Sequence, residues 1–363
     1  MAGRIVLVGG GHTHVHLVEA FGKAPLVGWR VLLVSPEPKT AYSGMVPGVI
    51  AGHYRREALE IDLERLCAAY GIDFRLARAV GIDRTGKRLH LEGGGEICYD
   101  LLSLDVGSAS ATNGIAGAVE HGLPVKPVGD LLDRLETHIS SKGRDGPERI
   151  TVVGGGPAGI EIVLALRQRL ASASLALVSA GPLLEAHPPG VRRHIRHVLA
   201  RRAVDVEESQ AVAAIGQTEI ELADGRRLES DLTLLATGAA APAWLAQTGL
   251  RLANGFIAVQ PTLQTMSDPD IFAAGDCATI VGSERPKAGV FAVRAGPPLA
   301  ANLRAHAQGR PLRPWSPQET YLTLMATGGR HAVASRGAFF VAGHWVWRLK
   351  DWIDRSWLRR YTC

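Results

Sequence analysis

Two strand–glycine turn–helix units about 145 residues apart, a glycine excess and room for more than one core predict an α/β protein with two Rossmann-like dinucleotide-binding domains. The chain has 363 residues, of which 42 are glycine. That is about 12%, against an average near 7%. The glycines follow no three-residue period, which excludes a collagen-like helix. With 46% hydrophobic and 21% charged residues, the chain has the composition of a folded globular protein. At roughly 150 residues per domain, its length accommodates about two and a half domains.

The first unit opens the chain. Arg4 to Val8 is a short apolar run that ends in Gly9, Gly10, Gly11, His12, Thr13 and His14, and Val15 to Phe21 then shows helical apolar spacing. Gly9 permits the turn, and Gly11 lets the backbone approach a pyrophosphate. The helix N-terminus adds amide donors and the positive end of its dipole. His14 stands where the fingerprint has its third glycine. The second unit keeps all three. Ile150 to Val153 leads into Gly154, Gly155, Gly156, Pro157, Ala158 and Gly159, and a helical stretch runs from Ile160 to Leu170.

Each unit needs a following strand that ends in an acidic residue for a ribose hydroxyl. Trp29–Val34 and Leu175–Val178 are those strands, and they end in Ser35 and Ser179. Glu37 stands within reach of the first ribose. The second strand shows neither a nearby carboxylate nor an arginine for a 2′-phosphate, since Arg192 and Arg193 lie well beyond. Two further buried strands are expected at Asp231–Gly238 and from Ile271. The latter carries Gly275 and Asp276 at its carboxyl end, where ligands of open α/β sheets sit. Capping of a following helix is the plainer role for Asp276.

Other classes are set aside on physical grounds. The only apolar core near the N-terminus is Ile5 to Val8, too short for a signal peptide. Leu232 to Leu250 is uncharged, but Gly238, Pro242 and Gly249 make it a poor spanning helix. The net charge of +5 comes without a nucleic-acid motif, so no nucleic-acid partner is expected. Cys67, Cys98, Cys277 and Cys363 form no CxxC pair, which fits a reducing, cytoplasmic setting and no structural zinc. His12, His14 and His16 invite a metal reading. Only His12 and His16 share a helix face and both sit at the pyrophosphate turn, so no metal is expected.

Near the C-terminus, Trp352, Trp345, Leu349, Ile353, Val346 and Trp357 form one helical arc. Arg348, Arg355 and Arg359 flank one border and Lys350 the other, while Asp351 and Asp354 take the polar face. Such a helix suits the inner face of a membrane. Packing on the protein's own body or on a second copy in a homodimer is the alternative.

The order GGGHTH, GGGPAGIE, ATG and IFAAGDCA resembles the pyridine nucleotide–disulfide oxidoreductase superfamily. The narrower stretches VSPEPKTAYSGMVPGVIAGHY, RPKAGVFAVRAGPPLAANL and WVWRLKDWIDR resemble the FAD-dependent oxidoreductase half often fused to selenophosphate synthase (selenide, water dikinase). That subfamily is similar to type II NADH dehydrogenases and sulfide:quinone oxidoreductases.

The resemblance implies two three-layer (β/β/α) domains, one inserted in the other. Residues 1–112 and 239–312 would bind FAD, 113–238 would bind NAD(P)H, and 313–363 would form a C-terminal region. FAD would be held by Gly9, Gly11, His12, Ser35, Glu37, Val80, Gly107, Gly275 and Asp276. Gly154, Gly156 and Gly159 would hold the nicotinamide nucleotide. Asp105 stands where the family has the alanine of its first ATG segment. The family's redox cysteine pair belongs in the loop Thr40–Gly48, which has none. Direct transfer therefore remains, with electrons passing from NAD(P)H through FAD to a quinone-like acceptor. Glu161 near the nicotinamide, Lys287 offsetting negative charge on the flavin, and Tyr42 are the candidate catalytic residues, with Lys126 a weaker one. A sulfide- or selenide-oxidising flavoprotein and a non-catalytic FAD-binding accessory protein of selenium metabolism are the alternatives.

Overall fold

The computed structural model describes residues 3–112, 114–141 and 148–362. Asn113, where the second domain is expected to begin, and Cys363 lie outside the described residues. The chain begins with β1 (Gly3–Val8), α1 (His12–Lys23), β2 (Trp29–Ser35), the short helix α2 (Val46–Ile50), β3 (Asp73–Leu76) and β4 (Leu101–Leu104). A second group follows: β5 (Gly122–Pro124), β6 (Arg149–Val153), α3 (Pro157–Arg169), β7 (Ser174–Ser179), α4 (Pro189–Arg201), β8 (Val204–Glu208) and β9 (Leu232–Leu235). Then come β10 (Ile271–Ala273) and α5 (Gly289–Ala307). The chain closes with β11 (Thr323–Ala326), β12 (Ala332–Arg336), β13 (Phe339–Gly343) and α6 (His344–Leu358).

Two five-stranded parallel sheets organise the molecule. The first has the order β10-β4-β1-β2-β3 and the second β5-β9-β6-β7-β8. Strand β10 pairs with β4 in register Ile271 to Leu102, so a segment distant in sequence completes the first sheet. The central strands are apolar on both faces, as sheets covered by helices require. Ile5, Leu7, Leu33, Leu102 and Leu104 of the first sheet are buried, as are Val152, Leu177 and Leu234 of the second. Three-stranded antiparallel sheets at Ala79–Cys98 and Val212–Glu229 stand beside them.

The uncharged run Leu232–Leu250 breaks into β9, a two-residue strand at Ala239–Ala240 and a short 3-10 helix at Ala243–Gln247. Gly238 precedes the second strand, and Pro242, which has no N–H to donate, stands at the start of the 3-10 helix. Among the described residues, no helix is long and apolar enough to cross a membrane.

In the last helix, part of the expected polar face turns inward. Its buried stripe is Val346, Lys350, Asp354 and Leu358, spaced four residues apart. Trp345 and Trp352 are instead 57% and 62% exposed. A charged pair, rather than the tryptophan arc as a whole, faces the body of the protein.

Candidate active site

The two glycine turns are close structural copies, and their differences are informative. Gly9 and Gly154 both have positive φ, +94° and +130°. A Cβ on either would strike the carbonyl just beyond the neighbouring strand, at Asp105 and at Ala236. Each first glycine is therefore required by a strand crossing as well as by its own φ.

The third position explains the missing glycine. A Cβ on Gly159 would collide with the Gly154 carbonyl. In the first copy, His14 Nδ1 donates to the equivalent Gly9 carbonyl at 2.8 Å, which leaves Nε2 to accept from Ser103 Oγ at 2.8 Å. Burial pushes its pKa down to about 4, so the ring is a neutral strut.

The middle position differs most. No atom lies within 4 Å of a Cβ built on Gly156, at the amino end of α3. A Cβ on Gly11 would instead strike the Asp105 carboxylate. Asp105 Oδ2 accepts from Thr13 N at 2.8 Å and from His14 N at 3.1 Å. Burial pushes its pKa up to about 7, against those two hydrogen bonds. The amides of Gly11 and His12 have no acceptor among the described residues.

Asp276 lies in a one-turn 3-10 helix, Gly275–Cys277, that leads into a strand, so it caps no following α-helix. Its Oδ2 accepts from Lys126 Nζ at 2.7 Å and from Ser108 Oγ at 3.1 Å, and Lys126 Nζ also donates to Ser108 Oγ at 2.8 Å. Gly107, φ +69°, precedes Ser108 and has open space beside it. The Lys287 ammonium is hydrogen-bonded on the strand that follows Asp276. It donates to the Ala278 carbonyl and to Thr279 Oγ1, and lies 4.1 Å from the centre of the Phe256 ring. Lys126 is thus the cation hydrogen-bonded to Asp276.

At the end of β2, the buried Ser35 hydroxyl accepts from the Glu37 amide at 3.3 Å. The Glu37 carboxylate is exposed and has no partner among the described residues. Val80, on the strand Ala79–Asp83, is 39% exposed. These positions fit FAD. Open amides at the α1 terminus suit a pyrophosphate, Asp276 a polyol, and Glu37 a ribose diol.

Helix α6 closes the site. Tyr42 stacks on Trp357 with ring centres 4.7 Å apart, and His12 stands 5.3 Å from Tyr42 and 5.2 Å from Trp357. Enclosure pushes the His12 pKa down to about 4. Tyr42 donates to Asp354 Oδ1 at 3.1 Å, and Lys350 Nζ donates to the Gly44 carbonyl at 2.6 Å and to Asp354 Oδ2 at 2.8 Å. The cysteine-free loop is therefore clamped by a lysine–aspartate pair.

Glu161, on the first turns of α3, accepts from Ala326 N at 2.7 Å. Burial pushes its pKa up to about 7, opposed by Lys350. Burial alone would lower the Lys350 pKa, but Asp354 and Glu161 outweigh it and the net shift is upward. Sequence reading did not single out Lys350 or Asp354 as a site pair. Their opposite charges four residues apart, in line with Val346 and Leu358, were the available signal.

The three cysteines among the described residues lie outside the Glu161–Lys350–Asp354 cluster. Cys277 is buried, donates to Ala274 O at 3.2 Å, and has its thiol pushed up to about 12. Cys67 is buried in a helix and pushed up to about 12, and Cys98 is on an exposed strand. The three histidines of the first turn diverge too. His14 points inward, His12 joins the aromatic stack, and His16 lies 3.8 Å from Glu19.

Two nucleotide turns, an aspartate at the end of the first sheet and a charged centre between them define a two-nucleotide oxidoreductase. The chain belongs to the pyridine nucleotide-disulphide oxidoreductase family, whose family model matches residues 3–302. It is 24% identical over 372 residues to ferroptosis suppressor protein 1 of Taeniopygia guttata, covering 97% of this chain and 92% of that one. It is 22% identical over 387 residues to the demethylphylloquinone reductase NdbB of Synechocystis, covering 98% of this chain and 96% of that one. The large subunit of Escherichia coli nitrite reductase (NADH) is 27% identical over 288 residues, but this chain spans only 33% of its length. In fold, the chain resembles the sulfide:quinone oxidoreductase of Aquifex aeolicus, with a TM-score of 0.82, 18% identity, and 99% and 91% of the two chains covered.

Proposed function

We propose that this flavoenzyme takes electrons from NAD(P)H at the second glycine turn and passes them to a quinone-like acceptor, without a redox disulfide, at a membrane surface. The observation that carries the reading is the Glu161–Lys350–Asp354 cluster, set against the cysteine-free loop at Tyr42–Gly44. FAD, when bound, accepts a hydride and releases two electrons.

Reducing a quinone to a quinol takes two electrons and two protons, whereas a hydride brings two electrons and one proton. The remaining proton must come from the protein or solvent. Glu161, with its pKa near 7, is suited to hold and replace it. Lys350 stabilises the Glu161 carboxylate after the proton leaves. Asp276, Ser108 and Lys126 would orient the polyol chain, and Gly11 and His12 would donate amides to the pyrophosphate. Similarity to a demethylphylloquinone reductase supports the acceptor class.

Membrane docking is supported by what α6 leaves outside. Trp345 and Trp352 of α6 are 57% and 62% exposed and Phe339 of the preceding β13 is 84% exposed, while Arg348 and Arg355 of the helix and Arg359 at its C-cap are exposed beside them. Aromatic residues bordered by arginines suit the headgroup region of an anionic bilayer.

The test is anaerobic. The purified protein should be yellow, NADH or NADPH should bleach it, and a short-chain quinone should restore the colour. A colourless protein that takes up no FAD sinks the reading. A flavin that neither nucleotide bleaches refutes the donor.

A further inference from the structure

The strand β7 ends in Ser179, so the usual acid for the ribose of a second nucleotide is missing from its end. The loop beyond it restores one. Leu184 takes a left-handed φ of +50°, which reverses the chain after only a few residues. Its amide donates to the Gly155 carbonyl at 2.9 Å, tying the loop to the second glycine turn. The Leu183 amide donates to Glu208 Oε2 at 2.8 Å, tying it also to the end of β8. Glu185 thereby reaches back toward Gly181, two residues beyond the end of β7. A Cβ built on Gly181 would lie 3.7 Å from Glu185 Oε2. The side chain is exposed and has no partner among the described residues.

We infer that Glu185 is the ribose-binding carboxylate of the second nucleotide site and makes the protein selective for NADH over NADPH. The inference rests on the donor reading given above and names the donor. An unpaired carboxylate beside the strand end accepts two hydrogen bonds from a ribose diol. The same carboxylate repels a 2′-phosphate and offers it no donor.

The cations that could compete lie on α4. Arg196 donates to both Glu208 oxygens, at 2.5 and 2.7 Å, and Arg192 faces the same carboxylate. Glu208 thus offsets the two arginines on that side. Arg193 and His197 are exposed on α4.

Binding of ADP-ribose and 2′-phospho-ADP-ribose to the FAD-loaded protein, measured by titration calorimetry, tests the assignment without electron transfer. ADP-ribose should bind tighter by about tenfold or more. Glu185→Gln should weaken ADP-ribose and shrink the preference, and Glu185→Arg should abolish or reverse it. Equal or tighter binding of the phosphorylated probe to the native protein overturns the inference and assigns the phosphate to the α4 arginines. So does a preference that Glu185→Arg leaves unmoved. Failure of both probes to bind overturns it together with the donor reading. Selective ADP-ribose binding by a protein whose flavin NADH does not reduce supports the ribose site and refutes only the donor reading.

Discussion

Asp105 puts a carboxylate at the helix terminus where, on the proposed reading, the pyrophosphate of FAD would also sit. Its counterpart in the second unit is Ala236, beside an open glycine turn. The Asp105 side chain takes the Thr13 and His14 amides and leaves Gly11 and His12 to the ligand. Two anions near one helix end repel, so ligand binding favours the protonated form of Asp105. With its pKa near 7 in the folded protein, binding takes up a proton above that pH and none well below it. FAD affinity should therefore be highest in mild acid and should fall as pH rises through 7, by up to about tenfold per unit. Asp105→Asn, which keeps an acceptor for the two amides, should flatten the dependence. Fluorescence titration of FAD between pH 6 and 9 measures both, and equal slopes in the two proteins would discount Asp105. His14, held neutral by burial, and His12, whose pKa is near 4, contribute no competing titration in that window.

At the scale of elements, α6 shows why an amphipathic sequence is read more easily than it is oriented. The spacing of its tryptophans and arginines is visible in sequence, but which side meets the protein is decided by Tyr42, Tyr54 and Gly44, more than 290 positions away. Their hydroxyls and carbonyl select Asp354, Asp351 and Lys350, so the charged face turns inward and Trp345 and Trp352 turn outward. The glycine turns were legible for the opposite reason. Their geometry is local, and a strand, three small residues and a helix suffice to state it. Glu185 was not legible, because its approach to Gly181 depends on how the loop after β7 folds.

Replacing Trp345 and Trp352 with serine should lower sedimentation with anionic liposomes by roughly tenfold or more, while far-ultraviolet dichroism stays native. Unchanged sedimentation would rule out the helix as a membrane anchor. A shift from dimer to monomer in size-exclusion chromatography would assign the tryptophans to a second copy. Deleting the whole helix is the poorer test, because it also removes Lys350 and Asp354 from the site.

For the molecule as a whole, the C-terminal region acts as a clamp between the two nucleotide units. On one side, α6 holds the loop and helix after β2 through Tyr42, Gly44 and Tyr54. On the other, β11 gives its Ala326 amide to Glu161 of α3, and Phe340 of β13 packs against Gly190 of α4. Lys350 is the joint of this arrangement, since it bonds Gly44 of the first unit and lies close enough to Glu161 of the second to stabilise its charge. Its replacement by methionine keeps most of the volume but leaves Asp354 buried with only the Tyr42 hydroxyl as a partner. Breaking a buried pair by removing one member costs roughly 3–5 kcal/mol. For a chain of this size, that lowers the melting midpoint by about 4–7 °C. Arginine at the same position keeps the charge and should recover part of the loss, although its fork does not fit a site built for one ammonium. Lys350→Met should also raise the Glu161 pKa further, because the cation opposing its burial is gone. The limb of the turnover profile that reports Glu161 should then move from near pH 7 to higher pH. Calorimetry and a pH profile on the same variant separate the two effects. A native midpoint would mean that Lys350 contributes no clamp, and an unmoved limb would mean that it does not act on Glu161.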